Sequence, residues 1–253
     1  MTRRRFYAPP EAFSTDRTSV RLNADETQHL RKVLRLRTGD EVFVFDGAGR
    51  EFRGEIQSVA REATQVRISD EVTIESTESR LNLTMAVALL KGEKFDLIVQ
   101  KLVELGVNRL VPVITARADV RLRGESDAAR RVDRWRRIVM EATKQCGRTR
   151  LLTIAAPSAL PSCIAQRQSA GEQRLMFAER QGTSLEQLIG EMHDAPKAVT
   201  AVAGPEGGWA GEEIDQARAA GWKIVTLRGR TLRAETAAIV IAALLQHRFG
   251  DLR

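Results

Sequence analysis

The chain has 253 residues, of which 43% are hydrophobic, and this share supplies a core and argues against an intrinsically disordered chain. Its 40 Lys and Arg against 33 Asp and Glu leave a net charge of +7. Two cysteines and three histidines are too few for a disulfide scaffold or a convincing zinc site. The apolar stretches are much shorter than the ~20 residues of a membrane span, and no signal-peptide pattern opens the sequence. We therefore expect a cytoplasmic protein of one or two domains, without a metal.

The first seventy-odd residues are predicted to be rich in β-strands. Residues 40–56 alternate apolar and polar side chains on both sides of a glycine-containing turn, which is typical of a hairpin, and residues 64–68 alternate again. Leucines in residues 27–36 are spaced as in a helix, closed by Gly39. These elements predict a small β-barrel domain over residues 1–74.

After a polar linker at residues 75–80, apolar stretches of strand length alternate with amphipathic stretches of helical length. Strands are predicted at residues 81–90, 109–114, 174–178, 197–203 and 223–227. Helices are predicted at residues 94–105 and about 127–145, from near 184, from near 211, and at 235–247, the last apolar almost all round and therefore buried. This alternation predicts a parallel α/β sheet in a second domain, residues 75–253.

The excess of positive charge lies in one segment. Residues 117–150 contain eleven Lys and Arg against five acids, whereas residues 1–75 contain thirteen of each. Ten of the eleven are arginine, whose planar guanidinium suits phosphate oxygens and stacks on bases. Composition alone leaves two interpretations open, a solvated helix face and a surface for nucleic acid.

Two glycine-containing loops follow predicted strands near the C-terminal end. Gly204–Gly208 follows the strand at 197–203, and Gly229 precedes the last helix. Ligands bind at the carboxyl ends of parallel strands, and glycine lets them approach the backbone closely. The first loop could equally be a sharp turn, because it has neither the G-x-G-x-x-G nor the P-loop spacing. Glu235, at the predicted helix start, suits a structural role at least as well as a catalytic one.

These motifs closely resemble the ribosomal RNA small-subunit methyltransferase E family. The resemblance is carried, in chain order, by Arg5-Phe6, His29–Arg35, Lys91–Lys94, Gln100-Lys101, Glu104–Val107, Gln145–Arg148, Gly204–Gly208, Leu232–Ala237 and Arg248–Leu252. It implies an S-adenosylmethionine-dependent enzyme that methylates N3 of a uridine in 16S ribosomal RNA of the small subunit. It also implies a C-terminal SPOUT-type α/β domain with a trefoil knot, a leading PUA-like RNA-binding β-barrel and a homodimer.

The resemblance further implies a cofactor site built from loops at strand ends. By position, the cofactor-binding residues are Phe177, Ala178, Glu179, Gly204, Pro205, Glu206, Gly207, Gly208, Leu227, Arg228, Gly229, Leu232, Arg233, Ala234, Thr236 and Ala237. Ala234 stands where many members of the family have Thr. Backbone contacts would survive this difference, whereas a hydroxyl contact would not.

Uridine N3 is a weak nucleophile until its imide proton leaves, so the reaction needs a proton acceptor or a cation near the carbonyl oxygens. Arg233 and Arg148 are the candidate cations. Glu141 and Glu206 are candidate bases, although each could as easily make a structural hydrogen bond. Cys146 is expected to be a small buried hydrophobe. The residues predicted to contact RNA are Arg3, Arg4, Arg5, Arg31, Lys32, Arg117, Arg134, Arg136, Arg137 and Arg148.

Three other functions fit parts of the sequence. The first is another SPOUT methyltransferase, acting on a ribose hydroxyl or a tRNA base. The second is a non-catalytic RNA-binding or ribosome-assembly factor that keeps the knot, against which the intact glycine loops argue. The third is a nucleotide-binding regulator, which lacks the lysine and hydroxyl of a P-loop.

Overall fold

The computed structural model describes residues 3–73, 78–192 and 194–252, and the chain divides into two compact units. The first unit comprises Met1–Glu78 and Thr143–Leu151, and the second comprises Ser79–Ala142 and Leu152–Arg253. The predicted boundary between residues 74 and 75 lies outside the described residues, as does the first half of the predicted linker. The first unit thus includes a segment, Thr143–Leu151, that the predicted boundaries place in the second domain.

Five described strands form the sheet of the first unit. They are β1 (Arg5–Tyr7), β2 (Ser19–Leu22), β3 (Glu41–Phe45), β4 (Glu51–Val59) and β5 (Thr64–Glu71), in the order β1-β3-β4-β5-β2. β1 pairs with β3 in parallel and the other neighbours pair antiparallel, so the predicted hairpin is confirmed as β3 and β4. A short 3-10 turn, Pro10–Ala12, precedes β2.

The core of the first unit is built from alternate strand residues. Val42 and Val44 of β3 are both fully buried, as the alternation predicts. β4 carries a register shift beside Gly54, where an added Cβ would lie 2.4 Å from the carbonyl oxygen of Arg67. Glycine is therefore required at this bulge, because the neighbouring strand passes too close for a side chain.

The helix predicted at residues 27–36 has different bounds. α1 (Ala24–Gln28) begins where the Asn23 side chain accepts a hydrogen bond from the Glu26 amide at 2.9 Å, and a π-helical turn, His29–Val33, follows directly. The prediction is wrong here because leucine spacing alone does not separate an α-helix from a wider turn.

Eight described strands form the sheet of the second unit, and all their pairings are parallel. They are β6 (Asn82–Ala88), β7 (Arg109–Ile114), β8 (Thr153–Ile154), β9 (Ser158–Ala159), β10 (Glu172–Phe177), β11 (Thr183–Ser184), β12 (Ala198–Ala203) and β13 (Lys223–Thr226). The order is β11-β13-β10-β12-β6-β7-β8, with β9 also on β7.

Helices lie between or after these strands; five of them are predicted from the sequence, and the short helix Leu160–Ile164 is not. They are α2 (Glu93–Glu104), α3 (Glu125–Cys146), α4 (Leu160–Ile164), α5 (Leu185–Gly190), α6 (Gly211–Ala219) and α7 (Ala234–Phe249). The last four residues of α3 belong to the first unit. Across the described ranges, no helix is both long and apolar enough to cross a membrane.

The strand order brings the last part of the chain back into the middle of the unit. β13 pairs with β10 and not with β12, the strand that precedes it. The chain then returns as α7, which packs against α2 and β12. α7 is buried through Ala238, Ile241 and Leu245, which confirms the prediction made from its apolar sequence. This return sets the start of α7 close to the carboxyl end of the sheet.

Candidate functional site

The carboxyl ends of four central strands lie side by side. Phe177, the last residue of β10, is paired with Ala203 of β12 on one side and Val225 of β13 on the other. Ala203 is in turn paired with Val87 of β6. The loops that follow these strands therefore leave from one edge of the sheet, which is where parallel sheets bind ligands.

The loop Gly204–Ala210 folds back onto the end of β10. The Trp209 indole Nε1 donates a hydrogen bond to the carbonyl oxygen of Phe177 at 2.7 Å, and Trp209 is buried. A Cβ on Gly204 would lie 2.9 Å from this indole, so glycine is needed for the fold-back. Gly208 has a φ of +67° and open space where its side chain would be, which leaves the loop backbone accessible to a ligand.

Buried Glu213 anchors the other end of this loop. Its Oε2 accepts a hydrogen bond from the Ala210 amide at 2.8 Å, and its Oε1 accepts one from the Ala116 amide at 2.9 Å. Glu213 is not among the site residues predicted from the sequence. Its place at the third position of α6 is the signal that could have found it, because a glutamate there commonly binds the amide before the helix.

Arg117 contacts the same loop from the segment after β7. Its Nη1 donates a hydrogen bond to the Gly207 carbonyl oxygen at 3.2 Å, and a Cβ on Gly207 would lie 3.2 Å from the Arg117 Cβ. Arg117, predicted to bind RNA, is exposed and at the same time supports the glycine-rich loop. Its RNA contact stays a prediction.

Lys94 is a second site residue that was not predicted from the sequence. At the start of α2 it forms an ion pair with Glu206 of the glycine-rich loop. The hydrogen bond that Lys94 donates to Glu206 raises the pKa of Lys94, and the charge of Glu235 raises it further, while nearby Arg233 lowers it. Lys94, Glu206, Arg233 and Glu235 therefore form one charged cluster at this edge.

The second glycine-containing loop precedes α7. Gly229 has a φ of +113° and open space beside it, and Arg228, Arg230 and Arg233 are exposed. Arg233 occupies the position just before the helix, and Glu235 lies in the first turn, where a carboxylate is favoured by the helix dipole. The buried Oε2 of Glu235 has no hydrogen-bond partner in the part of the chain that the structure describes.

These loops fit the predicted cofactor. Gly208 and Gly229 leave backbone open beyond the ends of β12 and β13, the two strands that flank β10, and a polar, nucleoside-containing ligand can be held by such amides. The loop after β10 is fixed at the same edge, since the Ala178 amide donates to the Val225 carbonyl oxygen at 2.8 Å. The segments 177–179, 204–208 and 227–229 are thus brought together, and their binding of the cofactor stays a prediction.

Arg148 does not have the surroundings that its two predicted roles need. It is 3% exposed, and its Nε and Nη2 donate to Glu78 Oε2 at 3.1 and 2.9 Å. Glu78 Oε1 accepts from the amides of Thr149 and Arg150 at 3.0 and 2.9 Å. We therefore correct the prediction: Arg148 stabilises the first unit and presents no free guanidinium to RNA or to a reacting base.

We also correct the prediction that Arg5 contacts RNA. Its side chain is 7% exposed, pairs with Glu51 and stacks over the Phe45 ring. Its Nη1 and Nη2 donate to the carbonyl oxygens of Thr143, Lys144 and Arg148, at 3.2, 3.2 and 2.8 Å. Arg5 therefore caps the C-terminal end of α3, where carbonyl groups have no partner within the helix.

The remaining candidates divide by exposure and pairing. Glu141 lies exposed on α3, away from the glycine-containing loops in sequence, and its role stays a prediction. On the same helix Arg134 pairs with Asp96, and Arg136 pairs with Asp133 at 3.0 Å. The other predicted RNA contacts are exposed residues, namely Arg3, Arg4, Arg31, Lys32 and Arg137.

Neither cysteine has the features of a nucleophile. Cys146 is half-buried and Cys163 is buried, and both are free thiols. Burial raises the pKa of Cys146, and it raises the pKa of Cys163 to about 11. Within the described ranges, no group of three or more His, Cys, Asp and Glu residues could hold a metal ion.

Two family models match the chain and cover both units. A model described as an RNA methyltransferase domain matches residues 77–246, and one described as an RNA methyltransferase PUA domain matches residues 22–69.

Several named proteins are similar to this chain over most of its length. A ribosomal RNA small subunit methyltransferase E from Synechocystis is 32% identical over 225 residues, which cover 89% of this chain and 72% of that protein. A crystal structure of the methyltransferase of the same name from Neisseria gonorrhoeae, bound to S-adenosyl methionine, is similar with a TM-score of 0.86 and 31% identity, covering 99% of this chain and 100% of that one. A methyltransferase from Legionella pneumophila, solved with the same cofactor, gives a TM-score of 0.88 at 29% identity, with 99% and 100% covered.

Proposed function

Because the chain belongs to the family of ribosomal RNA small subunit methyltransferase E, we propose that it transfers a methyl group from S-adenosylmethionine to N3 of one uridine in 16S ribosomal RNA. Family and fold class agree, since the chain has a SPOUT-type α/β domain with a trefoil knot and an N-terminal PUA-like domain. The observation that carries the proposal is the common edge of β10, β12 and β13, from which both glycine-containing loops leave.

The loops at this edge would hold the cofactor. S-adenosylmethionine supplies a methyl group on a sulfonium, which is transferred in line to a nucleophile. The chain's part is to position the two reactants and exclude water. Open backbone at Gly208 and Gly229 suits the cofactor's polar groups, and the segment 232–237 closes the site at the start of α7.

Arg233 is the best placed of the candidate cations. It is exposed at the start of α7, and it forms no ion pair with a carboxylate of the described residues. Its guanidinium is therefore free to donate hydrogen bonds to a carbonyl oxygen of uracil. Such bonds stabilise the negative charge that develops when the imide proton leaves N3, which makes N3 a better nucleophile.

Glu206 is the better placed of the two candidate bases, because it lies in the glycine-rich loop whereas Glu141 lies on α3. Glu206 also forms an ion pair with Lys94 at the start of α2, which holds its carboxylate at this edge of the sheet.

We further propose that the protein works as a homodimer in the cytoplasm, on RNA of the small ribosomal subunit. These proposals are supported by the family to which the chain belongs. Sedimentation equilibrium tests the dimer directly. A single species of monomer mass at working concentration would contradict it.

The reaction is tested with small subunits from a strain that lacks the enzyme. They are incubated with the protein and cofactor labelled in the methyl group, and the product is mapped by mass spectrometry. We expect one labelled N3-methyluridine in 16S ribosomal RNA. Label on a ribose, or in tRNA only, would contradict the assignment, and cofactor binding without any transfer would favour a non-catalytic assembly factor.

Two variants separate cofactor binding from chemistry. Gly208→Val places a branched side chain at a φ of +67°, and we expect calorimetry to show loss of cofactor binding. Arg233→Gln keeps the backbone of the segment 232–237 and removes the guanidinium, so it should lower kcat by about 100-fold, the usual effect of removing one donor to a developing anion, and change cofactor affinity far less than Gly208→Val does. Arg167→Gln, at an exposed position before the amino end of β10, is the matched control and should lower neither quantity.

A further inference from the structure

One turn of the first unit presents apolar side chains to solvent on a fixed backbone. The turn, residues 29–37, is anchored at both ends by buried leucines, Leu30 and Leu36. The Leu34 amide donates to the His29 carbonyl oxygen at 3.1 Å, and the Leu36 amide donates to that of Leu30 at 3.1 Å. The His29 ring packs edge-on against Phe6, with centroids 6.2 Å apart. The tip between these anchors is therefore held in one shape.

The tip exposes two adjacent hydrophobic residues. Val33 is 64% exposed and Leu34 is 37% exposed, and the only other large hydrophobics this exposed in the described ranges are Leu97 and Leu252. The local backbone is unfavourable in two respects. A π-helical turn is rare and is frequent at functional sites, and Arg35 has a φ of +53°, which disfavours any residue with a Cβ.

Positive charge surrounds this tip, and the nearby Asp40 carboxylate accepts a hydrogen bond from the Arg37 amide at 2.7 Å and not from a cationic side chain of the turn. Residues 29–37 contain four cations, Arg31, Lys32, Arg35 and Arg37, and no acid. All four are exposed, and none forms an ion pair with a carboxylate of the described residues. Arg31 donates one hydrogen bond, at 3.4 Å, to the Ala60 carbonyl oxygen.

Cations on the sheet of the same unit behave differently. Arg53 pairs with Asp70 and Arg67 pairs with Glu55, each at 3.2 Å. The turn thus combines exposed apolar groups, unneutralised cations and an unfavourable backbone that the two buried leucines maintain.

We propose that residues 29–37 form an RNA wedge, in which Val33 and Leu34 pack against an unstacked base and the surrounding cations bind the flanking phosphates. The proposal rests on the proposed function, which supplies an RNA substrate whose target base must leave its stack to expose N3. RNA matches the turn on both counts, since each nucleotide brings one phosphate charge and one apolar base face. Apolar side chains that enter between base steps are an established way to unstack them. A protein partner would instead need acids placed around an apolar pocket.

Two double variants test the apolar and the ionic halves separately. RNA affinity is measured as a function of salt concentration, with a 16S ribosomal RNA fragment that carries the target uridine in its unmethylated form. V33S/L34S should lower affinity about tenfold at every salt concentration and leave the salt slope unchanged, because it removes only apolar packing. K32Q/R35N should lower the slope by about 1.4, because each single-strand phosphate that a cation neutralises accounts for about 0.7. Asn is chosen for Arg35 because it tolerates a positive φ.

Matched controls use residues of the same kind outside the turn. L97S removes a hydrophobic residue that is 42% exposed on α2, and R53Q removes a cation that is already paired. Both should retain wild-type affinity and slope. Circular dichroism and calorimetry with the cofactor verify that the variants fold and bind it.

Unchanged affinity in V33S/L34S would overturn the wedge, as would an equal loss in L97S. If V33S/L34S instead converts a dimer to a monomer in sedimentation, a second copy covers the tip and the RNA assignment is overturned. A different result would contradict the proposed function, namely a wild-type protein that methylates no uridine at N3. A wild-type enzyme that methylates normally, with turn variants that do so too at limiting RNA, contradicts the wedge alone.

Discussion

The first unit uses basic residues in two opposite ways. Arg5 and Arg148 are buried, and each donates several hydrogen bonds to carboxylates or carbonyl oxygens of the same unit. The cations of residues 29–37 are exposed and have no carboxylate partner among the described residues. Basic residues of the same unit therefore stabilise the fold in one place and remain available to bind a polyanion in the other. The number of acceptors around each guanidinium, rather than the charge of the segment, decides its role.

The largest expected effect comes from the buried side of this comparison. Arg5→Met removes a buried ion pair and three hydrogen bonds to carbonyl oxygens, and should lower the free energy of unfolding by about 3 to 5 kcal/mol. Urea denaturation measures this change. Arg4→Met, at a half-exposed neighbour with a 3.9 Å contact to Asp40, is the control and should cost less than about 1 kcal/mol. An R5M protein that is as stable as the wild type but binds RNA more weakly would support the original prediction that Arg5 contacts RNA.

Arg148→Met should have the next largest effect on stability. It leaves Glu78 without its buried cation, but that carboxylate keeps two backbone donors and is 18% exposed, so we expect a loss of about 2 to 3 kcal/mol. Methyl transfer measured well below the melting temperature should proceed at the wild-type rate. A rate lowered by about 100-fold, with stability unchanged, would restore the catalytic role to Arg148.

Helix α3 gives an intermediate case that sharpens the comparison. Arg134 and Arg136 are paired with Asp96 and Asp133, whereas Arg137 has no ion pair with a described carboxylate. R134Q/R136Q/R137Q should therefore lower the salt slope of RNA binding by only about 0.7 to 0.9, the value for a single neutralised phosphate. A slope lowered by the value for three phosphates would show that RNA displaces the acids on this helix.

The smallest effect is expected at Cys163, where the second unit buries a neutral group instead of a charge. Burial raises the pKa of this thiol from 9.0 to about 11, so the folded protein favours the protonated form. This contribution to stability is complete below pH 9.0 and is lost as the pH rises through about 11. Thermal melts between about pH 8 and 11 should show a steeper alkaline loss for the wild type than for Cys163→Ala. Parallel curves of melting temperature against pH for the two proteins would contradict this contribution of Cys163.

Much of the fold follows from periodicity in the sequence. Every strand predicted from residue 81 onward is present within a few residues, because apolar runs of this length are typical of buried parallel strands. The two-residue strands β8, β9 and β11 could not be predicted, since two residues show no period. The position of β13 beside β10 and the inclusion of Thr143–Leu151 in the first unit depend on contacts between distant residues.

The site could be predicted only in part. Glycine marks the two loops because open or left-handed backbone needs it, as at Gly208 and Gly229. Lys94 was missed because its partner is 112 residues away. Glu213 has one partner 97 residues away, which the sequence does not show, and one in its own helix cap, which it does. Arg148 was misassigned because its motif is visible in the sequence, whereas its pairing with the carboxylate of Glu78 is not.

The hydrogen bond from Trp209 to Phe177 has a practical consequence. It places an indole, a natural fluorophore, against the base of the glycine-rich loop, while the other two tryptophans, Trp135 and Trp222, lie on α3 and before β13. Replacing those two by Phe would leave a chain whose tryptophan emission originates from the loop alone. Ligand binding could then be followed in real time by the fluorescence of Trp209, without an added dye.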